Sequence, residues 1–436
     1  MDWVTASIVI FTALSILFLI GVPVAFSFLF VNMVFAYIFW GDNGFSQLVL
    51  SIYRSISLFS LVPVPLFLLM GQIIFLYEIS RNMMDTMDKW VGRLPGRLSL
   101  MAVAGGVLFA TLSGSSMAST AMLGQTLLPE MERKGYKAQM TLGPIMGSGC
   151  LAGMMPLSAL AIITACLAEI SVGDFLLTII GPGLLMAAIY AFYIVVRAIW
   201  QPHLAPAYEV EKVSLGEKIV LALKYVAPLS LIIISVVGII MSGIATPTEA
   251  AAVGSLVCFV LAFIYKGFQP QIVKKAILAS FKISVMMFMI LSGATGFSEI
   301  LAYTGATTNI VELVTHLKLP PMGILIMMQI LLILLGTFLE SLAIMMITIP
   351  IYIPIIKTLG FDPYWFCAIF LINMELATIS PPYGLVLFTM KGVAPKYSMK
   401  DIFSASIPFN LLDALALALV MIFPKIALFL PHALKH

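Results

Sequence analysis

Three carboxylates, Glu249, Glu340 and Glu375, stand in stretches that otherwise carry almost no charge. An ionisable group in such a setting is costly unless it faces a cavity or a partner. Each is therefore a candidate for ion or ligand chemistry. Glu249 has a second reading, because it follows the helix-starting Pro247 and its carboxylate can cap the helix N-terminus. The same runs hold clusters of small polar residues: Thr111–Ser116, Gly147–Pro156, Gly336–Ser341 and Ala377–Pro382. Such residues either pack helices closely or interrupt them. An interrupted helix exposes unpaired carbonyls, which suit Na⁺ or a similar hard cation, and half-helix N-termini, which suit an anionic group. On this reading Ser113, Ser115, Gly149, Gly153 and Pro156 are candidates for a first cation site, and Ser341, Thr378, Ser380 and Pro381 for a second. At least two Na⁺ sites are expected. Ser113, Ser116, Ser158 and Glu340 are the candidates for contacting a substrate.

Other chemistries lack their residues. His203, His316, His432 and His436 all fall in loops or the tail, so a Ser–His dyad within the membrane is not available. No G-x-x-x-x-G-K-[ST] occurs, so the chain is not itself an ATPase. Cys150, Cys166, Cys258 and Cys367 show no metal-ligand spacing and read as packing residues. No Lys or Arg falls at a span centre, so an anionic substrate has to rely on helix termini, hydroxyls, water or a charge near a span end. The chain reads as a non-enzyme, and no nucleic-acid partner is expected.

The elements that position these residues follow from composition. Of 436 residues, 61% are hydrophobic and 10% charged, and the mean hydropathy is +1.11, which describes an all-α polytopic membrane protein. Leu98–Leu128 has 31 residues and no charge. A single span needs about 20 apolar residues and two spans with a turn about 40, so this run is too long for one and too short for two. Two half-helices meeting at Thr111–Ser116, a re-entrant hairpin, resolve the mismatch, because irregular backbone is tolerated at depth only inside protein or beside a water-filled cavity. Ala138–Ala168 is uncharged too and is interrupted at Gly147–Pro156, which predicts a broken span facing the hairpin tip. Continuous spans are expected at Val4–Ile20, Gly21–Trp40, Leu58–Tyr77, Phe175–Val196, Tyr225–Gly243, Pro247–Tyr265, Ile283–Ser298 and Ile402–Phe423. Val4–Ile20 lacks a basic n-region and a cleavage site, and reads as a retained span. Ile79, Met83, Met84, Met87, Trp90 and Val91 share one face at helical spacing, with Arg81, Asp85, Asp88 and Lys89 off it. This is either an amphipathic helix at the membrane surface or a solvated loop helix.

The pattern occurs twice. Pro95 and Pro320, Ser116 and Ser341, Pro129 and Pro354, Gly135 and Gly360, and Pro156 and Pro381 are each 225 residues apart. A run of matches at one offset argues for an internal duplication. Residues 1–200 are then one repeat, with hairpin 98–128 and broken span 138–168; 201–224 are a cytoplasmic linker; and 225–436 are a second repeat, with hairpin 321–356 and broken span 364–390. Each repeat has five spans, an odd number, so the second is inverted. With the N-terminus outside, 18 of the 23 Lys and Arg lie inside and only Arg54, Lys318, Lys357, Lys425 and Lys435 outside. The expectation is about ten spans, two re-entrant helical hairpins opening to opposite sides, and both termini outside.

The residues Gly243-Ile-Ala-Thr-Pro-Thr-Glu-Ala-Ala-Ala-Val-Gly254, with Leu112-Ser-Gly-Ser-Ser-Met-Ala-Ser-Thr120 and the breaks Gly147–Pro156 and Thr378–Gly384, resemble the large membrane subunit of TRAP (tripartite ATP-independent periplasmic) transporters. The resemblance covers nearly the whole chain. It implies an inverted-repeat elevator in the bacterial inner membrane, in which the hairpins and broken spans slide against a scaffold. It implies a Na⁺ gradient, a small four-helix membrane subunit, a periplasmic substrate-binding protein and an organic acid substrate, with both termini periplasmic. It also implies the unfused version of the subunit. The overall likeness leans to the sialic-acid branch over the C4-dicarboxylate class, although no motif reads out the substrate. A channel with re-entrant pore segments is the alternative.

Overall fold

The computed structural model describes residues 3–77, 79–91, 94–206, 214–316 and 319–434. Proline and small capping residues set many helix starts. The chain opens with α1 (Trp3–Ile20), α2 (Val24–Trp40), α3 (Gly44–Ile56), α4 (Pro63–Leu76) and α5 (Ile79–Val91). Next come α6 (Arg97–Ser113), α7 (Ser116–Arg133), α8 (Ala138–Cys150), α9 (Ala159–Leu167), α10 (Val172–Thr178) and α11 (Ile180–Trp200). The middle of the chain gives α12 (Leu215–Leu221), α13 (Ala227–Met241), α14 (Pro247–Lys266), α15 (Pro270–Tyr303) and α16 (Ala306–Thr315). The last six are α17 (Pro321–Gly336), α18 (Ser341–Thr358), α19 (Pro363–Thr378), α20 (Leu385–Val393), α21 (Met399–Ile422) and α22 (Lys425–Leu434). No strand occurs among the described residues. Pro63, Pro247, Pro270, Pro321 and Pro363 each open a helix, where the missing N–H removes nothing. Thr246 with Glu249, and Ser398 with Asp401, form capping boxes, so Glu249 is a helix cap, one of its two readings.

Seven helical stretches among the described residues are long and apolar enough to cross a membrane, and α8–α9, bent by 42°, forms an eighth candidate. The helices α1, α4, α6 and α17 are apolar but shorter.

The helices pack as two bodies. In one, α4 lies against α14 and α15, α15 also holds α2 and α3, and α1, α13 and α16 complete the group. In the other, α8 is gripped by α6, α7 and α21, α19 packs on α17 and α21, and α11 lies along α6 and α21. The bodies meet chiefly where α4 touches α6, α16 touches α18, and α15 touches α9 and α18. Within the second body, α7 packs on α8 and on α20, and α18 packs on α19 and on α9. The second helix of each hairpin therefore touches the broken span of both halves of the chain.

Some local expectations need correction. Residues 44–56, expected as an outer loop, form the amphipathic α3, with Leu48, Ser51 and Ser55 buried and Phe45, Val49 and Tyr53 exposed. The linker carries a helix of its own, because Ser214 caps α12 by accepting from Glu217 N at 3.2 Å. In α5, Ile79, Met83 and Met84 are buried in the core, Lys89 pairs with Glu217 at 3.7 Å, and the Trp90 indole donates to Lys218 O. So α5 is packed against protein on its apolar face, while Trp90 is half exposed. The side chains of Arg81, Asp85 and Val91, and the residues Arg93, Lys212, Lys318 and Lys435 used in the charge count, lie outside the described residues.

Candidate functional site

The helix α6 ends at Ser113 and α7 begins at Ser116, so the chain turns within two residues. Gly114 takes the left-handed conformation at φ 57°, which a Cβ disfavours. Ser115 caps α7 by accepting from Ala118 N at 3.4 Å, and Ser113 Oγ lies 2.7 Å from Ser119 Oγ. The turn is pressed onto the first break: a Cβ on Gly114 would lie 2.6 Å from Leu157 O and 3.3 Å from Ala159 N.

The break itself lies later than the sequence suggests. Gly147, Ser148 and Gly149 remain helical in α8, Leu151–Met154 form a 3-10 turn, and the chain is extended at Met155 before Ser158 caps α9 through Ala161 N at 3.2 Å. Gly149 is thus not in the unwound segment. Its role is close packing, since Thr120 Oγ1 would lie 1.9 Å from a Cβ there. Gly153, four residues on, makes room in the same way for Glu375, whose Oε1 would lie 1.7 Å from a Cβ. Ser116 and Thr120, also four apart, supply the facing side of α7.

Glu375 is the centre of this arrangement. Its side chain on α19 is fully buried, Ser116 Oγ donates to its Oε2 at 2.8 Å, and its Oε1 has no hydrogen-bond partner. One carboxylate thereby joins the tip of the first hairpin, the first break and the second broken span. Cys150 Sγ lies 3.3 Å from Thr378 Oγ1, a further link between the two broken spans. Thr120 Oγ1 is likewise buried without a partner.

The second break follows α19. Thr378 donates to Glu375 O at 2.7 Å and Ser380 to Leu376 O at 2.8 Å, so both hydroxyls close the last turn of the helix. Asn410 of α21 donates to Ile379 O at 2.9 Å and lies 3.1 Å from Ser380 Oγ through Oδ1. Pro381 is half-buried, and Gly384, which brings no side-chain cap, starts α20. The second hairpin turns over Thr337–Glu340, and Ser341, the first residue of α18, donates to Met374 O at 3.2 Å. Gly336 packs on Ala377, 2.5 Å from Ala377 Cβ to the position of a Cβ.

The structure therefore brings Ser113, Ser115, Ser116, Gly149, Gly153, Pro156 and Ser158 around the first break, and Ser341, Thr378, Ser380 and Pro381 around the second. Glu340 stands apart: it is exposed at the start of α18 and its carboxylate has no cap bond. In the sequence Glu375 stands out by its charge without a site to belong to, Thr120 is only the end of the hairpin motif, and Asn410 and Asp413 belong to no motif. Asp413 is fully buried on α21, accepts from the Tyr190 hydroxyl through Oδ1, and leaves Oδ2 without a partner. A carboxylate within the uncharged run Ile402–Phe423 was its sequence signal.

A family model described as the DctM component of tripartite ATP-independent periplasmic transporters matches residues 11–426. The chain is 32% identical over 396 residues to the C4-dicarboxylate TRAP transporter large permease of Pseudomonas aeruginosa, covering 90% of this chain and 91% of that one. It is 27% identical over 427 residues to the sialic acid TRAP transporter large permease of Vibrio cholerae, covering 97% of each. The lean to the sialic-acid branch is thus not singled out by identity. Among solved structures, the YdaH transporter of Alcanivorax borkumensis matches with a TM-score of 0.59 at 14% identity over 87% of this chain and 88% of that one, a likeness of fold.

Proposed function

Because this chain belongs to the DctM component family of tripartite ATP-independent periplasmic transporters, we propose that it is the carrier subunit of a Na⁺-coupled importer of an organic acid. It is a multi-pass protein of the bacterial inner membrane, and its relatives are permeases rather than enzymes. The substrate is of the C4-dicarboxylate or sialic-acid class, handed over by a periplasmic binding protein, with a small four-helix membrane subunit completing the assembly. The N-terminus and the C-terminus face the periplasm on this reading, which the bias of Lys and Arg supports.

The observation that carries this reading is the seating of the first hairpin on both broken spans, through Gly114 on Leu157 O and Ser116 on Glu375. A tip that closes on one helix break and on the neighbouring broken span is suited to gate a midplane site, the arrangement of alternating access. The body that holds the breaks moves against the body built on α4, α14 and α15.

The donors at the first break fit Na⁺. Unpartnered oxygens there include Glu375 Oε1 and Thr120 Oγ1, and any carbonyl donors would come from the unwound residues after α8. Oxygen donors suit a hard cation. A bound Na⁺ supplies the positive charge that a buried carboxylate requires. Glu375 and Thr120 hold the ion, Gly149 and Gly153 let those side chains approach, and Ser116 ties the ligand to the hairpin tip. At the second break Thr378, Ser380 and Ser341 have their hydroxyls on backbone carbonyls. Ion binding there falls to carbonyls around Pro381, and the uncapped N-terminus of α20 offers N–H groups to the substrate carboxylate.

Reconstitution tests the reading. The permease and small subunit in proteoliposomes, with the binding protein added outside, should take up labelled succinate or sialic acid in a saturable manner that requires Na⁺ and the binding protein. Flux that does not saturate and needs no binding protein would indicate a channel.

A further inference from the structure

The body that lacks the breaks ends in a pocket that the proposed cycle does not use. Its origin is close packing. Asn32 Nδ2 donates to Gly293 O at 2.7 Å, and a Cβ on Gly296 would lie 2.8 Å from both Asn32 Nδ2 and Leu48 Cδ1, so α2, α3 and α15 touch at this level. One turn further along α15 stands Glu299, beside the end of α2, and there the helices diverge. They leave a pocket of about 610 Å³ lined by Phe39, Trp40, Asn43, Gln47, Glu299 and Tyr303. Its rings are in contact: Phe39 and Tyr303 have centroids 6.2 Å apart, and Trp40 meets Tyr303 edge-on at 5.6 Å and 75°.

Glu299 is half-buried, and its Oε2 is closed to solvent with no hydrogen-bond partner. The side chain nonetheless lines the pocket, so a cation seated there would lie beside a carboxylate that is already half withdrawn from water. No Lys or Arg lines the pocket. A carboxylate with aromatic walls is complementary to a cation that carries N–H groups, by charge-assisted hydrogen bonds and by cation–π contact. Asn43 and Gln47 are exposed amides at the mouth, beside the polar turn Gly41–Asn43. Amides at the rim suit a polar entrant arriving from water more than a lipid chain.

We propose that this pocket receives a lysine or arginine side chain of the soluble binding protein, and so fixes where that protein docks. The proposal rests on the function proposed above and on its topology, which puts the ends of α2 and α15 on the outer face.

Binding can be read without transport. The permease and small subunit are placed in nanodiscs, open to both faces, and titrated with their cognate soluble binding protein. Glu299→Gln should weaken binding about tenfold or more and flatten its salt dependence, and Tyr303→Ala, which keeps the charge, should weaken it several-fold. Wild-type affinity in both variants would overturn the proposal. A loss seen in discs containing phosphatidylethanolamine but absent in discs of phosphatidylglycerol alone would overturn it as well, because the cation would then be a lipid amine. A wild type that binds with the Glu299 effect yet takes up no substrate would support the docking pocket and overturn the transport reading.

Discussion

The two breaks share a plan and differ in closure. At the first, a two-residue turn with a left-handed glycine presses on the unwound chain, Ser158 caps the following half-helix, and a fully buried carboxylate leaves one oxygen open beside Gly153. At the second, a four-residue turn ends in an exposed Glu340, the hydroxyls of Thr378 and Ser380 are bound to their own helix, and α20 begins at an uncapped glycine. The first break is sealed and carries the charge; the second is more open and carries the free helix terminus. On the function proposed above, the tighter cation site belongs to the first break and the anionic substrate to the side of the second.

The largest effect should come from overfilling the sealed turn. Gly114→Val brings a side chain to within 2.6 Å of Leu157 O at a φ of 57°, so uptake should fall below detection while membrane levels stay normal. Leu339→Val, at the matching place in the looser turn, should keep at least about half the uptake, because a volume change of one methylene is tolerated where packing is incomplete. Normal transport by Gly114→Val would mean that the tip does not seat on the break.

Next in size is the carboxylate. Glu375→Gln should raise the Na⁺ concentration for half-maximal uptake about tenfold, equivalent to about 1.4 kcal/mol, whereas Glu340→Gln should shift it less than about twofold because that side chain is exposed. Equal shifts in the two variants would erase the distinction between the breaks.

The prolines should act more weakly. Pro156 and Pro381 lack an N–H and disfavour a helical preceding residue, so Pro156→Leu lets the helix extend across its break, while Pro381→Leu does so less because Pro382 remains. Each variant should need several-fold more Na⁺, with Pro156→Leu the more affected because Pro156 is buried and Pro381 only half-buried. Unchanged Na⁺ dependence in both would remove the case for carbonyl ligands.

The smallest effect concerns the caps. Ser115→Ala removes the side-chain cap on α7 and should lower the unfolding free energy by about 1 kcal/mol, while Glu340→Ala has no cap to lose on α18 and should cost less than about 0.5 kcal/mol. Denaturation midpoints of the purified variants compare them.

Much of the plan that the two breaks share could be read in the sequence, for identifiable reasons. An uncharged run of 31 residues around Ser113–Ser116 has too few membrane solutions to leave the turn in doubt. The match of Ser116 with Ser341 placed the second turn, and both serines do open the second helix of their hairpin. The position of the first break was less legible: glycine suggests unwinding, but Gly147 and Gly149 serve close packing against Phe409 and Thr120 and stay helical. Glu375 was visible as a costly charge, yet its partners come from Ser116, 259 residues away, and from Gly153, and no local pattern encodes that meeting. The helix α3 is hard to read because its apolar residues are interrupted by Ser46, Gln47, Ser51 and Arg54. Glu340 shows a related limit: placement at a turn says nothing about which way the turn faces, and the side chain is exposed at the start of α18.

Equilibrium binding of radioactive sodium to the purified protein in nanodiscs addresses the central claim without partners or substrate. Wild type and Glu340→Gln should bind Na⁺ alike, and Glu375→Gln should bind it about tenfold more weakly or lose one site. Undiminished binding by Glu375→Gln would contradict the assignment of the charged cation site to the first break.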